Sequence, residues 1–356
     1  RRILMDRVFS HRELIGMASS LFEAGGLRKE DAETIARDLV SADLRGLTSH
    51  GVSRIPMYLE RIRRGVVNAR PEIKSTQTAP AAILLDGDDG MGFLASHRAV
   101  EEGTALAEKT GIAVVGVHKS THFGMSASYV QQAVEAGYVC MAFTNSSPAL
   151  APVGAKVAFL GAAPLAAGIP GGKNSPDYIL DMAMTIIARG KIRVAATNNE
   201  EIPLGLALDS DGKPTTDAKK AFAGVCLPFG GPKGAALAML MDLLSGMFTG
   251  ANYGGDVKSL YFDHSAPQNV GHIFFFMKPD LFIPREKLAA RMDEFYRRLT
   301  NLPKADGCKR IMMPGEPEAE KTKARMENGI PLSENIVKDI RQTAELYKIA
   351  LGPKFD

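Results

Sequence analysis

Hydrophobic residues repeat at helical spacing through the first sixty positions of the chain. Ser10 and Glu13 have the S-x-x-E spacing of a capping box, and the apolar face that follows ends at Gly25. The same periodicity predicts a second helix around residues 35–40 and a third over residues 52–64. The chain therefore begins with a helical segment.

Beyond position 80 the pattern alternates between strand and helix. Apolar runs at residues 82–85, 112–117 and 139–144 are separated by helical patterns at residues 96–109 and 125–136. A strand, an amphipathic helix and a second strand joined by short turns are typical of a βαβ unit. We therefore expect the strands at 112–117 and 139–144 to be parallel neighbours in a central sheet.

The remainder of the chain divides into buried and charged segments. Further strands are predicted at residues 179–185 and 272–277, and a polar surface hairpin around residues 204–213. The apolar run at 235–244, interrupted only by Asp242, predicts a buried helix, and the pattern after residue 285 is helical and highly charged. The fold class is thus α/β with α+β character. Residues 1–115 and 310–356 would form a discontinuous helical domain, and residues 116–309 a sheet domain.

Composition narrows the function classes. The 356 residues include 43 basic and 40 acidic side chains, so the net charge of +3 gives no basic footprint for nucleic acid. Three cysteines without a CxxC pair favour a reducing compartment over a disulfide framework. No run reaches the roughly 18 apolar residues of a membrane span, and the first residues lack the features of a signal peptide. These observations predict a cytoplasmic protein that binds neither membrane nor nucleic acid.

The usual nucleotide and hydrolase motifs are missing. The nearest match to a dinucleotide fingerprint, G-x-G-x-x-A at residues 90–95, follows a turn rich in aspartates that would repel a pyrophosphate. The next strand ends in Val117-His118-Lys119 and not in an acidic residue for a ribose. The interpretation favoured here is an ordinary turn and helix start. No Walker loop, HExxH or GxSxG is present either.

One polar constellation lies at residues 48–58. If one helix runs through it, His50, Arg54 and Tyr58 form a single stripe that offers an imidazole, a guanidinium and a phenol to one ligand. If Pro56 lies in the first turn of the helix, His50 belongs to the entry loop instead. An arginine fork binds a carboxylate through two parallel hydrogen bonds, whereas a solvated arginine face is the structural alternative.

Two more candidates follow strands. His122 comes directly after the strand at 112–117, where ligands collect in open α/β sheets, and its ordinary pKa suits proton exchange near neutral pH. A histidine bonded to a loop carbonyl is an equal alternative. Asn145 and Ser146 follow the next strand and would lie beside His122 if the two strands were neighbours. Both are polar donors, and both are also common in turns.

A last group combines a buried acid with a glycine-rich helix start. Asp181 lies inside an apolar strand, where a carboxylate is costly unless it is paired. Residues 230–234, Gly-Gly-Pro-Lys-Gly, open an apolar helix whose first amides and positive dipole end, with Lys233, favour a phosphate. Pro314-Gly315-Glu316 is a second glycine-containing helix start.

Read together and in order, these motifs resemble the malate/L-lactate dehydrogenase family that is unrelated to Rossmann enzymes. That family includes ureidoglycolate, sulfolactate, diketogulonate and piperideine-2-carboxylate oxidoreductases. The resemblance covers nearly the whole chain through six segments: residues 43–58, 120–124, 144–148, 180–182, 230–234 and 314–316. One departure is Met184-Thr185, where the family pattern leads us to expect Thr-Ser.

The resemblance implies a non-Rossmann NAD(P)-binding fold with a mixed central sheet, and a homodimer with its active site near the subunit interface. The implied reaction is hydride transfer between NAD or NADP, with NAD slightly preferred, and a small 2-hydroxy acid, malate being the first guess. A cyclic imino acid reductase or a ureidoglycolate dehydrogenase is the alternative. A metal-dependent or non-enzymatic binding protein is disfavoured because His50 and His122 lack close ligand spacing, and no metal is expected.

The resemblance also assigns roles to residues. His122 would exchange the proton, with His50 and Asp181 as further catalytic residues. The substrate would be lined by Ser49, His50, Arg54, Tyr58, Asn145 and Ser146, with Arg54 as the carboxylate clamp. The cofactor would be held by His122, Gly124, Leu180, Asp181, Met182, Lys233, Gly234, Pro314, Gly315 and Glu316.

Overall fold

The computed structural model describes residues 7–355. The strands are β1 (Arg7–Phe9), β2 (Lys74–Ala79), β3 (Ala82–Asp86), β4 (Ile112–Ser120), β5 (Val139–Thr144), β6 (Leu165–Ile169), β7 (Tyr178–Met182), β8 (Ala207–Leu208), β9 (Val225–Cys226), β10 (Val270–Met277) and β11 (Ile330–Leu332). The helices are α1 (His11–Ala24), α2 (Lys29–Leu44), α3 (Ile55–Arg63), α4 (Gly92–Thr110), α5 (Ala127–Glu135), α6 (Arg189–Asn198), α7 (Ala218–Ala223), α8 (Pro232–Asp242), α9 (Arg285–Thr300), α10 (Glu316–Asn328) and α11 (Glu334–Tyr347).

The central sheet has seven strands in the order β2-β3-β4-β10-β5-β6-β7. Only β3 and β4 pair in parallel, and every other neighbouring pair is antiparallel, so the expected mixed sheet is confirmed. The expectation that β4 and β5 are direct neighbours is wrong, because β10 lies between them. The reason is that β10 is apolar on both faces, with Ile273, Phe274 and Phe276 buried, and such a strand is stable only in the interior of a sheet.

The register brings several strand ends to one edge of this sheet. β3, β4, β5 and β7 end there, whereas β6 and β10 begin there, as the pairs His272–Thr144 and Leu165–Met182 show. We call this the carboxyl edge of the sheet. Because β4 and β5 both end there, the segments that follow them lie at the same edge although β10 separates them.

Helices from both ends of the chain share one hydrophobic core. It joins Phe9, Leu14 and Leu39 to Ile330 and Ile340, and β1 pairs with β11. A second core lies between the sheet and the helices α4 and α5, and it includes Phe274 and Phe276 of β10. The helical layer is therefore built from both termini, while the domain boundaries near residues 115 and 310 remain predictions.

The expected buried helix at 235–244 is only half buried. α8 and the π-helical turn Leu243–Met247 bury Ala235, Ala238 and Met241, but the other face of this helix is exposed. That face consists of Leu237, Met239, Leu240, Leu243, Met247 and Phe248. The prediction was wrong because apolar residues occupy both faces of the helix, and only one of them meets the sheet. Within residues 7–355 no helix combines the length and hydrophobicity needed to cross a bilayer.

Candidate active site

Thr121 connects the end of β4 to the start of α4. Its hydroxyl accepts a hydrogen bond from the amide of Gly92 and donates one to the carbonyl of Gly90, both at 3.1 Å. A Cβ at Gly92 would lie 2.2 Å from the carbonyl oxygen of Thr121. Gly92 of the apparent dinucleotide fingerprint therefore allows close packing against the segment that carries His122, whereas Gly90 packs against Pro71.

His122 is held at Nδ1 by two partners. The Tyr58 hydroxyl lies 2.7 Å from Nδ1, and the amide of Gly124 donates to the same atom at 3.2 Å. Because an amide only donates, Nδ1 is an acceptor here and the neutral ring carries its hydrogen on Nε2. Burial lowers the pKa of His122 well below its usual value, and the charges of Arg54, His50 and His272 lower it further. The resting ring is therefore neutral.

Ser49 and His50 lie in the turn before α3. Short 3₁₀ turns span Thr48–His50 and Val52–Arg54, and Pro56 occupies the first turn of α3. His50 therefore belongs to the entry loop and not to the helix. The His50 ring stacks on that of His122 with centroids 5.7 Å apart, and the Ser49 hydroxyl lies 2.9 Å from His50 Nδ1. Burial and the neighbouring Arg54 charge lower the pKa of His50 to about 4.

Asp43 fixes the turn that carries these residues. Its side chain is 1% exposed, and Oδ2 accepts a hydrogen bond from the amide of Val52 at 2.8 Å. A Cβ at Gly51 would lie 2.0 Å from Oδ1, so only glycine fits between Asp43 and Val52. Burial raises the pKa of Asp43 to about 7. This explains why an aspartate and a glycine are needed eight residues apart.

Arg54 presents a partly free guanidinium. Nε donates to the carbonyl of Ser49 at 2.5 Å, and Nη1 donates to the Tyr261 hydroxyl. The guanidinium carbon also lies 5.3 Å from the centre of the Tyr261 ring. Among residues 7–355 no acceptor meets Nη2, so this group is available to an anionic ligand.

His272 is a site residue that the sequence analysis did not find. It is fully buried in β10, where Nε2 lies 2.8 Å from the Ser120 hydroxyl and Nδ1 lies 2.7 Å from the Thr144 hydroxyl. Its ring stacks on Phe123 at 4.5 Å, and burial lowers its pKa to about 3. This neutral histidine therefore ties together the ends of β4 and β5. A histidine within an apolar strand was the available signal.

Asn145 and Ser146 are bonded to backbone groups. Asn145 accepts from the amide of Gly271 at 3.0 Å and donates to the carbonyl of Asn252 at 2.6 Å, while Ser146 Oγ accepts from the amide of Ala162 at 3.1 Å. The expectation that they lie beside His122 on a neighbouring strand is wrong, because β10 intervenes. Their contact with substrate remains a prediction.

Asp181 anchors the helix that follows the His122 loop. Its Oδ2 accepts a hydrogen bond from the amide of Ala127, the first residue of α5, at 2.8 Å. Burial raises the pKa of Asp181 to about 6, although this hydrogen bond and the charge of Arg45 oppose the shift. The buried acid thus has the specific partner that its position demanded. Its hydrogen bond goes to the start of α5, and its role in catalysis or cofactor binding remains a prediction.

The glycine-rich turn before α8 has the shape of an anion cradle. Gly230 and Gly231 have φ values of 58° and 61°, and a Cβ at either position would meet nothing within 4 Å. No side chain caps α8, and Lys233 in its first turn is exposed. Gly234 is required because its Cβ would lie 2.0 Å from the carbonyl of Phe229. Free amides at a positive helix end beside a lysine fit a phosphate of NAD or NADP.

A second glycine-containing turn, at residues 314–316, contacts β7. The carbonyl of Pro314 accepts from the amide of Ile179 at 3.1 Å, and Gly315 has a φ of 97°. The Glu316 carboxylate accepts from the amide of Met313 at 2.5 Å and from the Tyr296 hydroxyl at 2.8 Å, so its oxygens are used locally.

The glycine-rich turn at residues 230–234 lies beside the segment that follows β7 in the chain. The amide of Phe229 donates to the carbonyl of Met184 at 3.0 Å, and the Met184 side chain is fully buried where a polar residue was expected. Ile179 lies within β7, and Met184 lies two residues beyond its end. Between these two contacts lie Leu180, Asp181 and Met182. All the predicted cofactor segments other than the His122–Gly124 loop therefore lie along β7 and the residues directly after it.

Comparison with known proteins agrees with this geometry. Residues 9–341 match the model of the family described as malate/L-lactate dehydrogenase. The L-sulfolactate dehydrogenase of Methanocaldococcus jannaschii is 37% identical over 89% of this chain and 90% of its own length. The solved structure of sulfolactate dehydrogenase from that organism superposes with a TM-score of 0.90 at 33% identity, covering 97% of this chain and 98% of the other.

Two further relatives carry cofactor names. The NAD(+) ureidoglycolate dehydrogenase of Escherichia coli K12 is 36% identical over 87% of this chain and 88% of its own. The NADP(+) (2R)-3-sulfolactate dehydrogenase of Chromohalobacter salexigens is 37% identical over 78% and 83%. These matches imply an oxidoreductase with a nicotinamide cofactor and a small-molecule substrate. The chain belongs to the malate/L-lactate dehydrogenase family.

Proposed function

We propose that this enzyme interconverts a small 2-hydroxy acid and its 2-oxo acid, with His122 exchanging the proton and Arg54 holding the carboxylate. The observation that carries the proposal is the placement of a neutral, hydrogen-bonded imidazole next to a guanidinium with a free Nη2 group. Residues 48–63 carry both Arg54 and Tyr58, and Tyr58 holds the proton acceptor His122 beside the anion site.

His122 works through Nε2, because Nδ1 faces Tyr58 and Gly124. The resting ring carries its hydrogen on Nε2, so the working base is the other neutral tautomer, with its hydrogen on Nδ1 and without the Gly124 donor. Its bare Nε2 then takes the proton of the C2 hydroxyl. In reduction the cationic ring returns that proton to the oxygen at C2. The Tyr58 oxygen, 2.7 Å away, accepts Nδ1–H in both forms, since a phenol both donates and accepts.

Substrate binding makes the cationic ring easier to form. In the free site the Arg54 charge lowers the pKa of His122, second only to burial. A carboxylate bound at Arg54 offsets that charge, so the pKa of His122 rises when the acid is present. The neutral His50 ring stacked on His122 closes this side of the site without adding charge.

Lys233, Gly234 and the turns that flank Asp181 would hold the nicotinamide cofactor, which would supply the hydride acceptor or donor for C2 of the acid. NAD is proposed ahead of NADP. The turns would bind the phosphates through amides and one lysine, while among residues 7–355 no partner is identified for a phosphate on the 2′-position of the ribose. The chain's own contribution is orientation of the acid and proton transfer.

A second cation favours an acid with two negative groups. Burial lowers the pKa of Arg54, and the nearby charge of Arg193 on α6 lowers it further. Arg193 is exposed, and we propose that it binds the far end of a substrate whose first carboxylate lies on Arg54. This supports a malate-like or sulfolactate-like substrate ahead of lactate.

We also propose that two copies associate through the exposed apolar face of α8. A continuous row from Leu237 to Phe248, beside a groove of about 460 Å³ lined by Pro152, Val153 and the same helix, is unusual for a monomer surface. Sedimentation of the native chain and of Leu240→Asp tests this. A dimer that dissociates in the variant supports it, and a monomeric native chain contradicts it.

The first experiment on function is a nicotinamide titration. Because the chain has no tryptophan to transfer energy, the emission of NADH or NADPH is excited directly. Enhanced or quenched emission with one of them is expected. Oxidation of malate, lactate, sulfolactate and ureidoglycolate is then compared with reduction of pyruvate and piperideine-2-carboxylate. No emission change with either cofactor and no turnover of any acid would contradict the proposed function.

A further inference from the structure

A buried arginine two turns after Arg54 holds the loop on the far side of the site. Arg61 is 1% exposed and lies on the same face of α3 as Arg54, because seven residues make nearly two full turns. Its Nη1 group donates to three backbone carbonyls, those of Ser259 at 3.2 Å, Leu260 at 3.4 Å and Asp263 at 3.1 Å. A buried cation used in this way fixes the backbone of a loop and not a single side chain.

The loop held by Arg61 is ordered but presents its aromatic side chain outward. Val257 and Leu260 are buried, and the Ser259 hydroxyl accepts from the amides of Tyr261 and Phe262 at 3.3 and 3.2 Å. Tyr261 itself is 47% exposed. One helix therefore determines the positions of both Arg54 and Tyr261.

The hydrogen bond between these two residues leaves one donor unused. Nη1 of Arg54 must be the donor, since a guanidinium has no acceptor atom, so the Tyr261 oxygen accepts. The phenolic hydrogen of Tyr261 then has no acceptor among residues 7–355. A carboxylate that binds Nη2 of Arg54 also comes within reach of the Tyr261 hydroxyl, because that hydroxyl is bonded to the neighbouring Nη1.

We propose that Tyr261 is a second hydrogen-bond donor to the carboxylate of the acid, and that Arg61 is the residue that positions it. This rests on the proposed function in one respect, the assignment of Arg54 as the carboxylate clamp. Two donors on one carboxylate, Nη2 of Arg54 and the hydroxyl of Tyr261, select a carboxylate over an uncharged group at that end of the substrate.

The test separates the hydroxyl from the ring. Tyr261→Phe keeps the aromatic face over Arg54 and removes the hydroxyl, which is both the proposed donor to the carboxylate and the acceptor for Nη1 of Arg54. Tyr138→Phe is the matched control, because its hydroxyl bonds to Glu108 at 2.7 Å next to the start of β5, at the opposite end of the sheet from His122. Binding of oxamate, an unreactive carboxylate, is measured by calorimetry on the full chain with and without NADH.

We expect oxamate to bind Tyr261→Phe about tenfold or more weakly than the native chain, as for a lost hydrogen bond to a charged group, with Tyr138→Phe unchanged. Nicotinamide binding is expected to be the same in all three proteins. Where an acid is turned over, its KM rises in Tyr261→Phe while kcat changes little. Equal oxamate binding by Tyr261→Phe and the native chain would overturn the role of Tyr261 and leave the proposed function standing.

The positioning role of Arg61 is tested by oxamate binding and by rescue with lysine. Arg61→Met is expected to weaken oxamate binding as much as Tyr261→Phe, and Arg61→Lys, which restores a donor, to recover part of it. Full oxamate affinity in a folded Arg61→Met contradicts the positioning role. A native chain that binds oxamate through Tyr261 but oxidises no acid would contradict the proposed reaction and support the carboxylate site. A native chain that binds no oxamate at all contradicts both.

Discussion

Tyr58→Phe is the substitution that isolates the hydrogen bond on His122. The Tyr58 ring is 2% exposed and packs edge-on against Phe93 with centroids 5.6 Å apart, so phenylalanine keeps the shape of the site. Only the hydroxyl 2.7 Å from Nδ1 is lost. The variant therefore tests orientation and proton chemistry without a cavity.

The expected magnitudes differ for stability and for rate. In the resting site Nδ1 keeps the amide of Gly124 as a donor, so unfolding becomes easier by only about 1 kcal/mol, the net value of one hydrogen bond. In the working form Nδ1 carries a hydrogen, and without Tyr58 this buried donor has no side-chain acceptor. That costs about 1–3 kcal/mol, or roughly five- to 150-fold in kcat/KM.

The assay measures kcat/KM in both directions with one acid and its oxo partner. Both values should fall by the same factor, because the substitution leaves the equilibrium constant of the reaction unchanged. Tyr347→Phe is the control, since its hydroxyl bonds to the carbonyl of Leu59 at 3.2 Å and makes no contact with His122. It should lose similar stability and no rate.

Two results would refute this reasoning. A change in kcat/KM below about twofold would mean that Gly124 alone orients the ring. A loss as large as that of His122→Ala would mean that Tyr58, and not His122, exchanges the proton. Urea unfolding of each variant separates either result from loss of the folded state.

The other predictions concern proton exchange, charge, packing and specificity. His122→Ala should lower turnover about 10²- to 10⁴-fold while nicotinamide emission still titrates normally. Because the raised pKa of Asp43 makes the folded state bind more protons than the unfolded state, the contribution of Asp43 to stability declines as pH rises from about 4 to about 7. Urea unfolding at both pH values should therefore show that the free energy of unfolding of Asp43→Asn rises relative to that of the native chain. Gly92→Ala should cost about 1–3 kcal/mol in urea unfolding, whereas Gly190→Ala, with open space around it, should cost nothing; equal stabilities would contradict the packing argument. Arg193→Gln should raise the KM for malate about fivefold and leave that for lactate unchanged, with Lys191→Gln as the control on the same helix; equal effects on both acids would remove Arg193 from specificity.

Local signals predicted local structure well. The capping box at Ser10 and Glu13 forms both of its hydrogen bonds, at 3.2 and 2.7 Å, and the helix it starts ends before Gly25. The strand ahead of His122 and the buried acid at Asp181 were also found, because a polar residue in an apolar setting is visible in the sequence.

Features that depend on distant partners were not visible. The place of β10 between β4 and β5 is set by contacts between residues more than a hundred positions apart. Arg61 and Tyr261 are separated in sequence by 200 residues, and neither has a motif around it, so nothing local marks the loop that they hold. The exposed face of α8 was missed because hydropathy alone does not say which of two apolar faces meets the sheet.

The late arrival of β10 in the chain has a consequence for how the enzyme is made. A ribosome releases β4 and β5 well before Val270–Met277, so the two strands that lead into the site each wait with an unpaired edge. β1 waits longer still, since its partner Ile330–Leu332 lies near the other end. Such non-local pairing predicts slow refolding and a nascent chain that depends on chaperones. The strands around the candidate site are then fully paired only after β10 has been synthesised, and the helical layer only after β11.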